Sequence, residues 1–271
     1  MASSSSARTI RQGTLGKHNL RLVQKDGRFY GLVDGQKYVD GTDADDVWRR
    51  LHRDAGKADP KYFGYADARS RFRKFFPNGF HSDGFSSQER DYKLAASRKL
   101  AATAPLAEAL NGSGLGKAVL SVFHATNMLS RFEKARIADV LRSRDADAFV
   151  QAAASFTDDA TAATLSEIER VLRPHDCAKW TVATYLPFLW RPKAHMFLKP
   201  EATKDFAVRV GHPFASVYRA QLEFDVYLSL LDLTDETSNE LSDLDARDRI
   251  DIQSFIWVVG DYREDREEVY P

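Results

Sequence analysis

Alternating apolar and polar positions open the chain, and helical spacing takes over beyond Thr42. Leu20-Arg21-Leu22-Val23, Arg28-Phe29-Tyr30-Gly31-Leu32-Val33 and Lys37-Tyr38-Val39 read as short strands. Asp26-Gly27 and Asp34-Gly35 separate them, and Asp-Gly adopts the positive φ of a tight hairpin turn at low cost. A third pair, Asp40-Gly41, leads into Thr42, which resembles a helix cap and forms a weak capping box with Asp45. The helix behind it places Val47, Trp48 and Leu51 on one face and Arg49, Arg50 and Arg53 largely on another. Residues 1–14, small and polar, are expected to be a disordered lead, and 15–56 a small β-meander and helix module.

Residues 57–110 read as a basic helical segment. A short helix over 65–76 places Phe72, Phe75 and Phe76 on a shared face beside a basic row, and Pro77-Asn78-Gly79 stops it. A longer helix runs from Ser87 to about Ala109, with Pro105 kinking or dividing it. Residues 111–271 form a mainly helical, acidic domain, with helices expected over 117–132, 133–141, 145–156 and 165–172. His124 falls among the apolar positions of the first and is expected to be a satisfied core histidine.

The densest apolar and aromatic run is 180–190. Pro187 disfavours an unbroken helix there, so a helix to about Tyr185 or Leu186 followed by an extended aromatic turn is expected. Beyond it Arg191, Lys193, His195, Phe197 and Lys199 alternate with Ala194, Met196 and Leu198, as in an extended segment. Helices are expected from Thr203 to Gly211 and over 214–233. The run 251–259 is a helix after Asp248 or a buried strand, and the charged tail after Gly260 is surface. The fold class is α+β: a small N-terminal β-meander plus helix packed on a larger, mainly α-helical domain.

Charge changes this picture. Formal charge balances overall, with 39 Lys and Arg against 39 Asp and Glu, but residues 1–104 carry 20 cations against 12 acids. Residues 105–271 carry the remaining 19 against 27. A basic first part suggests a polyanionic partner, or attraction to the acidic second part. The single cysteine, Cys177, excludes an internal disulfide and reads as a buried structural thiol. No apolar stretch is long enough for a membrane span and no secretory signal opens the chain, so a cytoplasmic protein is expected.

Candidate chemistry is mostly basic. Arg69, Arg71, Arg73 and Lys74, joined by Arg90, Lys93, Arg98 and Lys99, would neutralise phosphates of DNA or RNA if their helices lie side by side, with Tyr65 and Tyr92 stacking on bases. Arg191, Lys193, His195 and Lys199 form a second, phosphate-binding candidate in which His195 titrates. The leading expectation is therefore a non-enzymatic nucleic-acid-associated protein. Alternatives are a protein-interaction or self-associating module, and a metal-dependent nuclease built on Glu223, Asp225, Asp245, Asp248 and Asp251. Capping of a helix start explains Asp245 and Asp248 as well or better. No catalytic residue, cofactor or metal ligand is assigned. Gly112-Ser113-Gly114-Leu115-Gly116-Lys117 misses the phosphate-loop spacing, and Ala118 follows where a hydroxyl is needed. Neither Gly-x-Ser-x-Gly nor a dinucleotide fingerprint occurs.

Overall fold

Two Asp-Gly hairpins set the first part of the computed structural model, which describes residues 6–15 and 17–262. Asp26 and Gly27 take φ of 49° and 74°, and Asp34 and Gly35 take 50° and 85°, as two-residue hairpin turns require. They join β2 (His18–Lys25), β3 (Arg28–Val33) and β4 (Gln36–Gly41) into an antiparallel meander. β1 (Arg8–Leu15) pairs with β2 and completes a four-stranded sheet in the order β1-β2-β3-β4. The expected disordered lead is thus corrected from Arg8 onward, and residues 1–5 lie outside the described residues. A polar sequence pattern hid β1, since five of its eight residues are exposed and pairing with β2 supplies its order.

Helix α1 (Ala44–Gly56) covers one face of the sheet through Val47, Trp48 and Leu51, which join Leu20 and Leu22 in a core cluster. Asp43, not Thr42, is its cap: the carboxylate accepts from Asp46 N at 2.7 Å. The third Asp-Gly pair makes no turn; a Cβ on Gly41 would meet Val47 Cγ2 at 2.8 Å, so glycine there lets α1 approach.

The chain divides into two compact units. The sheet unit runs to Arg71 and also takes Thr203–Tyr218; the helical unit holds Phe72–Ala202 and the chain from Arg219. In the sheet unit the returning segment is locked by Gly211, at φ +73°, where a Cβ would lie 2.7 Å from Arg53 Cα. Phe63 N donates to Arg209 O at 3.0 Å and Tyr65 meets Phe206 edge-on.

The helical unit is organised by the aromatic run the sequence singled out, but its local form differs. Trp180–Ala183 and Tyr185–Trp190 are both helical, so the expected extended turn is replaced by a second helix. Pro187 sits in that helix's first turn, where its missing N–H has no intrahelical partner to lose. Buried Thr184 marks the joint: its hydroxyl donates to Trp180 O and accepts from Leu198 N at 3.0 Å. Trp180 Nε1 donates to Arg219 O, Trp190 Nε1 to Ala104 O, and Tyr185 OH to Val122 O, so the buried Trp180 and Tyr185 and the half-buried Trp190 are each satisfied.

Other boundaries move for physical reasons. The expected helix over 117–132 is divided into Gly116–Phe123 and Arg131–Arg142, the latter begun by a Ser130–Glu133 capping box. His124 is exposed and Phe132 is 69% exposed, so neither belongs to the core. Pro105 separates Asp91–Thr103 from Leu106–Ala109. Phe214–Val217 and Phe224–Glu240 replace one helix over 214–233. Arg249–Asp261 is a helix capped by Asp248, and the expected surface tail from Arg263 lies outside the described residues. Residues 195–198 are all buried, so the alternation from Arg191 does not mark two faces.

Candidate functional site

One turn of π-helix, Ser86–Arg90, precedes the helix Asp91–Thr103, with Asp91 N bonded to Ser86 O. Its last two side chains, Glu89 and Arg90, are both buried. Lys93 follows one turn later and is 1% exposed. All three meet the helix Arg249–Asp261.

Arg90 belongs to a structural lattice. Its guanidinium grips Asp248 with two bonds of 2.9 and 2.7 Å and donates to Asp251 at 2.7 Å. Asp251, fully buried, also takes the backbone N–H and side chain of Arg247. Burial pulls the Arg90 pKa down, but the bonds from Asp248 and the charge of Asp251 outweigh it and raise it.

Glu89 and Lys93 form the second half. Lys93 Nζ donates to Glu89 Oε2 at 3.0 Å and to Ser254 Oγ at 2.7 Å, and the Ser254 hydroxyl in turn donates to Ile250 O. Tyr262 OH donates to Glu89 Oε1 at 2.7 Å. Burial lowers the Lys93 pKa, against the opposing pull of Glu89, and burial likewise raises those of Tyr92 and Tyr262. Glu89, Tyr92 and Lys93 border a cleft of about 80 Å³ whose wall also includes Lys199, Gln253, Trp257, Phe197 and Met128, with Gln88 and Asn127. Lys199 Nζ stands 4.3 Å from the centre of the Trp257 ring, and burial lowers its pKa. Gln253 is 6% exposed, and its Oε1 is buried with no hydrogen-bond partner among the described residues. A buried, unpaired carbonyl costs about 1–3 kcal/mol, so this oxygen is the feature of the cleft most in need of explanation.

The basic residues expected to line one surface are dispersed among different roles. Arg69 and Arg71 are half-buried in the sheet unit. In the helical unit Arg73 and Lys74 are exposed, with Arg73 3.5 Å from Asp243. Arg98 and Lys99 are also exposed, and Lys99 donates to Ser121 O. Arg90 and Lys93 are corrected: both are buried against carboxylates and cannot meet phosphates as they stand. Of the second cluster, Arg191 pairs with Asp158, Lys193 is exposed, and Lys199 borders the cleft. His195 is 4% exposed and bonded on both ring nitrogens. Nε2 must donate to Thr157 O, so Nδ1 accepts from Tyr227 OH, and the ring is neutral. Burial pushes its pKa down to about 4, which removes it as a titrating phosphate ligand near neutrality.

The carboxylates expected of a nuclease are also separately employed. Asp248 caps a helix and holds Arg90, Asp251 is buried between arginines, and Asp225 accepts from Val226 N. Among the described residues no three His, Cys, Asp or Glu side chains converge as a metal centre. Cys177 is buried, and burial pushes its thiol up to about 12. Among the described residues no helix is long and apolar enough to cross a membrane.

The sequence had named Lys93 and Lys199 for charge and Tyr92 for stacking. Glu89 was legible in part, four residues before Lys93. Gln253, Ser254, Trp257 and Tyr262 carried no signal, because their roles depend on the meeting of two helices distant in sequence. Comparison with protein-family models, with curated proteins and with solved structures gave no match.

Proposed function

We propose that the helical unit is a binding module for a small polar molecule, held in the cleft bordered by Glu89, Lys93, Lys199, Gln253 and Trp257. One observation carries this reading: Gln253, which borders a cleft that also holds two lysines and an indole, keeps a buried carbonyl oxygen unpaired among the described residues. Buried polar groups are satisfied as a rule, and one left unsatisfied calls for an explanation, of which a bound partner is one. Bonds to Glu89 and Ser254 hold Lys93 in one place beside the cleft, as a preformed site requires.

Function and stability should therefore oppose each other at Gln253. Gln253→Met keeps the volume and removes the orphan, so the unliganded protein should gain about 1 kcal/mol, read as a higher urea midpoint at unchanged slope. The same substitution should weaken binding. A panel of small acids, amides and polyols, followed through the Trp257 indole N–H resonance, should contain members that shift it in the wild type. A panel that leaves the resonance untouched, together with a Gln253→Met chain no more stable than its parent, would remove the reading.

Phosphate-backbone binding stands as a second proposal and now draws, within the helical unit, on the exposed Arg73, Lys74, Arg98 and Lys99. Its support is charge alone.

A further inference from the structure

We infer that the open face of the sheet, turned away from α1, docks in the major groove of duplex DNA, with Gln12, Arg21 and Leu32 on base edges and Lys25, Arg28 and Lys37 on the flanking phosphates. The inference concerns the sheet unit and does not depend on the cleft of the helical unit.

Register assigns the faces. Leu20 and Leu22 turn towards α1, so strand alternation puts Arg21, Val23 and Lys25 of β2 on the other side. Arg21 stands between Gln12 of β1 and Leu32 of β3, and Leu32 is in turn opposite Lys37 of β4. Lys25 stands opposite Arg28, and Tyr30 opposite Asp40. Gln12, Arg21, Lys25, Arg28 and Lys37 are all exposed.

Charge is segregated within the unit. Its two segments, Met1–Arg71 and Thr203–Tyr218, carry 16 Lys and Arg against 10 Asp and Glu. Four of those acids, Asp43, Asp45, Asp46 and Asp54, sit on α1 or at its cap, behind the sheet. On the open strands four cations meet one acid, Asp40, which Arg28 and Lys37 share at 2.7 and 2.9 Å. Arg21 and Lys25 make no ion pair among the described residues. Such an excess fits a polyanion.

Shape and chemistry select the polyanion. Three neighbouring strands span about 10 Å, and the major groove of B-form DNA is about 12 Å wide, whereas that of A-form RNA is too narrow to be read. The row Gln12–Arg21–Leu32 crosses three strands. It offers an amide that can pair with adenine, a guanidinium fork that can pair with guanine and an apolar tip for the thymine methyl.

Fluorescence anisotropy of the full chain with a labelled duplex of about 20 base pairs, at about 50 mM salt, tests this. Affinity should fall with salt at a log–log slope of about −3, one unit for each phosphate contact, and Lys25→Gln should reduce that slope by about one. Arg21→Gln should bind a duplex selected by the wild type from a randomised pool about tenfold more weakly, and should relax selection at one G·C pair. Gln12→Ala, a milder change in the same row, should relax selection at a neighbouring position. Arg98→Glu with Lys99→Glu, in the helical unit, should leave binding unchanged. Matching urea midpoints would show that the variants fold. Absence of binding at that salt, binding lost with the Arg98 and Lys99 substitutions but kept in Arg21→Gln, or equal affinity for duplex RNA or for vesicles rich in phosphatidylserine would each overturn the inference.

Discussion

His52 shows how one side chain can govern a property of the whole sheet unit. It lies on α1, 1% exposed, its ring edge-on to Trp48 at 4.6 Å, with neither ring nitrogen paired among the described residues. Burial, and behind it the nearby His212, push its pKa down to about 3. An unfolded histidine titrates near 6.5, so between these values the unfolded chain takes up a proton that the native ring refuses. Stability is therefore complete above about pH 6.5 and falls as pH drops towards 3; His195, pushed down to about 4, adds to the slope in the helical unit. His52→Phe keeps the ring contact with Trp48 and removes the titration. It should flatten the decline by roughly a few kcal/mol between pH 7 and 4, measured by urea unfolding across that range. Parallel slopes in the two proteins would refute the assignment. None of this was legible beforehand. The histidine placed in the core from its apolar neighbours was His124, which is exposed, whereas His52 stood in a run of charges and gave no sign of burial.

At the scale of elements, what was visible in the sequence was local chemistry, and what was hidden was long-range pairing. The Asp-Gly turns and the apolar face of α1 follow from the residues on the spot, and both were read correctly. The recurrence of Asp245, Asp248 and Asp251 was equally visible, but its meaning was not, because Arg90 reaches Asp251 across 161 positions. A helix start rich in aspartate is ordinary; a helix start clamped by a buried guanidinium fixes the π-turn that aims Glu89 and Lys93 at the cleft. Asp251→Ala would leave Arg90 buried with half its compensation and free the Arg247 backbone N–H as well. A loss of about 3–5 kcal/mol is expected, against a much smaller loss for Arg90→Met with Asp251→Leu, which removes both charges together. Chemical denaturation of the three proteins checks the ordering. Equal losses would mean that the pair contributes packing rather than charge compensation.

For the whole molecule, the charge asymmetry resolves partly into internal pairing. Within the helical unit Arg73 faces Asp243, His81 faces Asp245 and Arg90 holds Asp248 and Asp251, so the acidic late segment neutralises part of the basic early one. The division into units follows a different line from the charge. Sequence order marked a small module over 15–56 that must lean on the rest of the chain, and in the structure the sheet unit also takes Thr203–Tyr218, which returns after the chain has built most of the helical unit. The segment Phe214–Val217 lies against β1, and Gly211 nests where a Cβ would strike the backbone of Arg53. Buried residues Tyr65 and Phe206 pack edge-on beside it. A fragment ending at Arg71 would keep the turns and the Leu20–Leu22–Val47–Trp48–Leu51 cluster but lose these partners, and so small a core is marginal without them. Expressed alone, residues 1–71 should therefore lack a cooperative thermal transition. A chain in which residues 203–218 are rejoined to 1–71 through a flexible linker should regain one, because docking becomes intramolecular at a high effective concentration. A fragment of residues 1–71 that melts as sharply as the rejoined chain would show that the sheet, its hairpins and α1 suffice, and that the returning segment merely decorates a module complete without it.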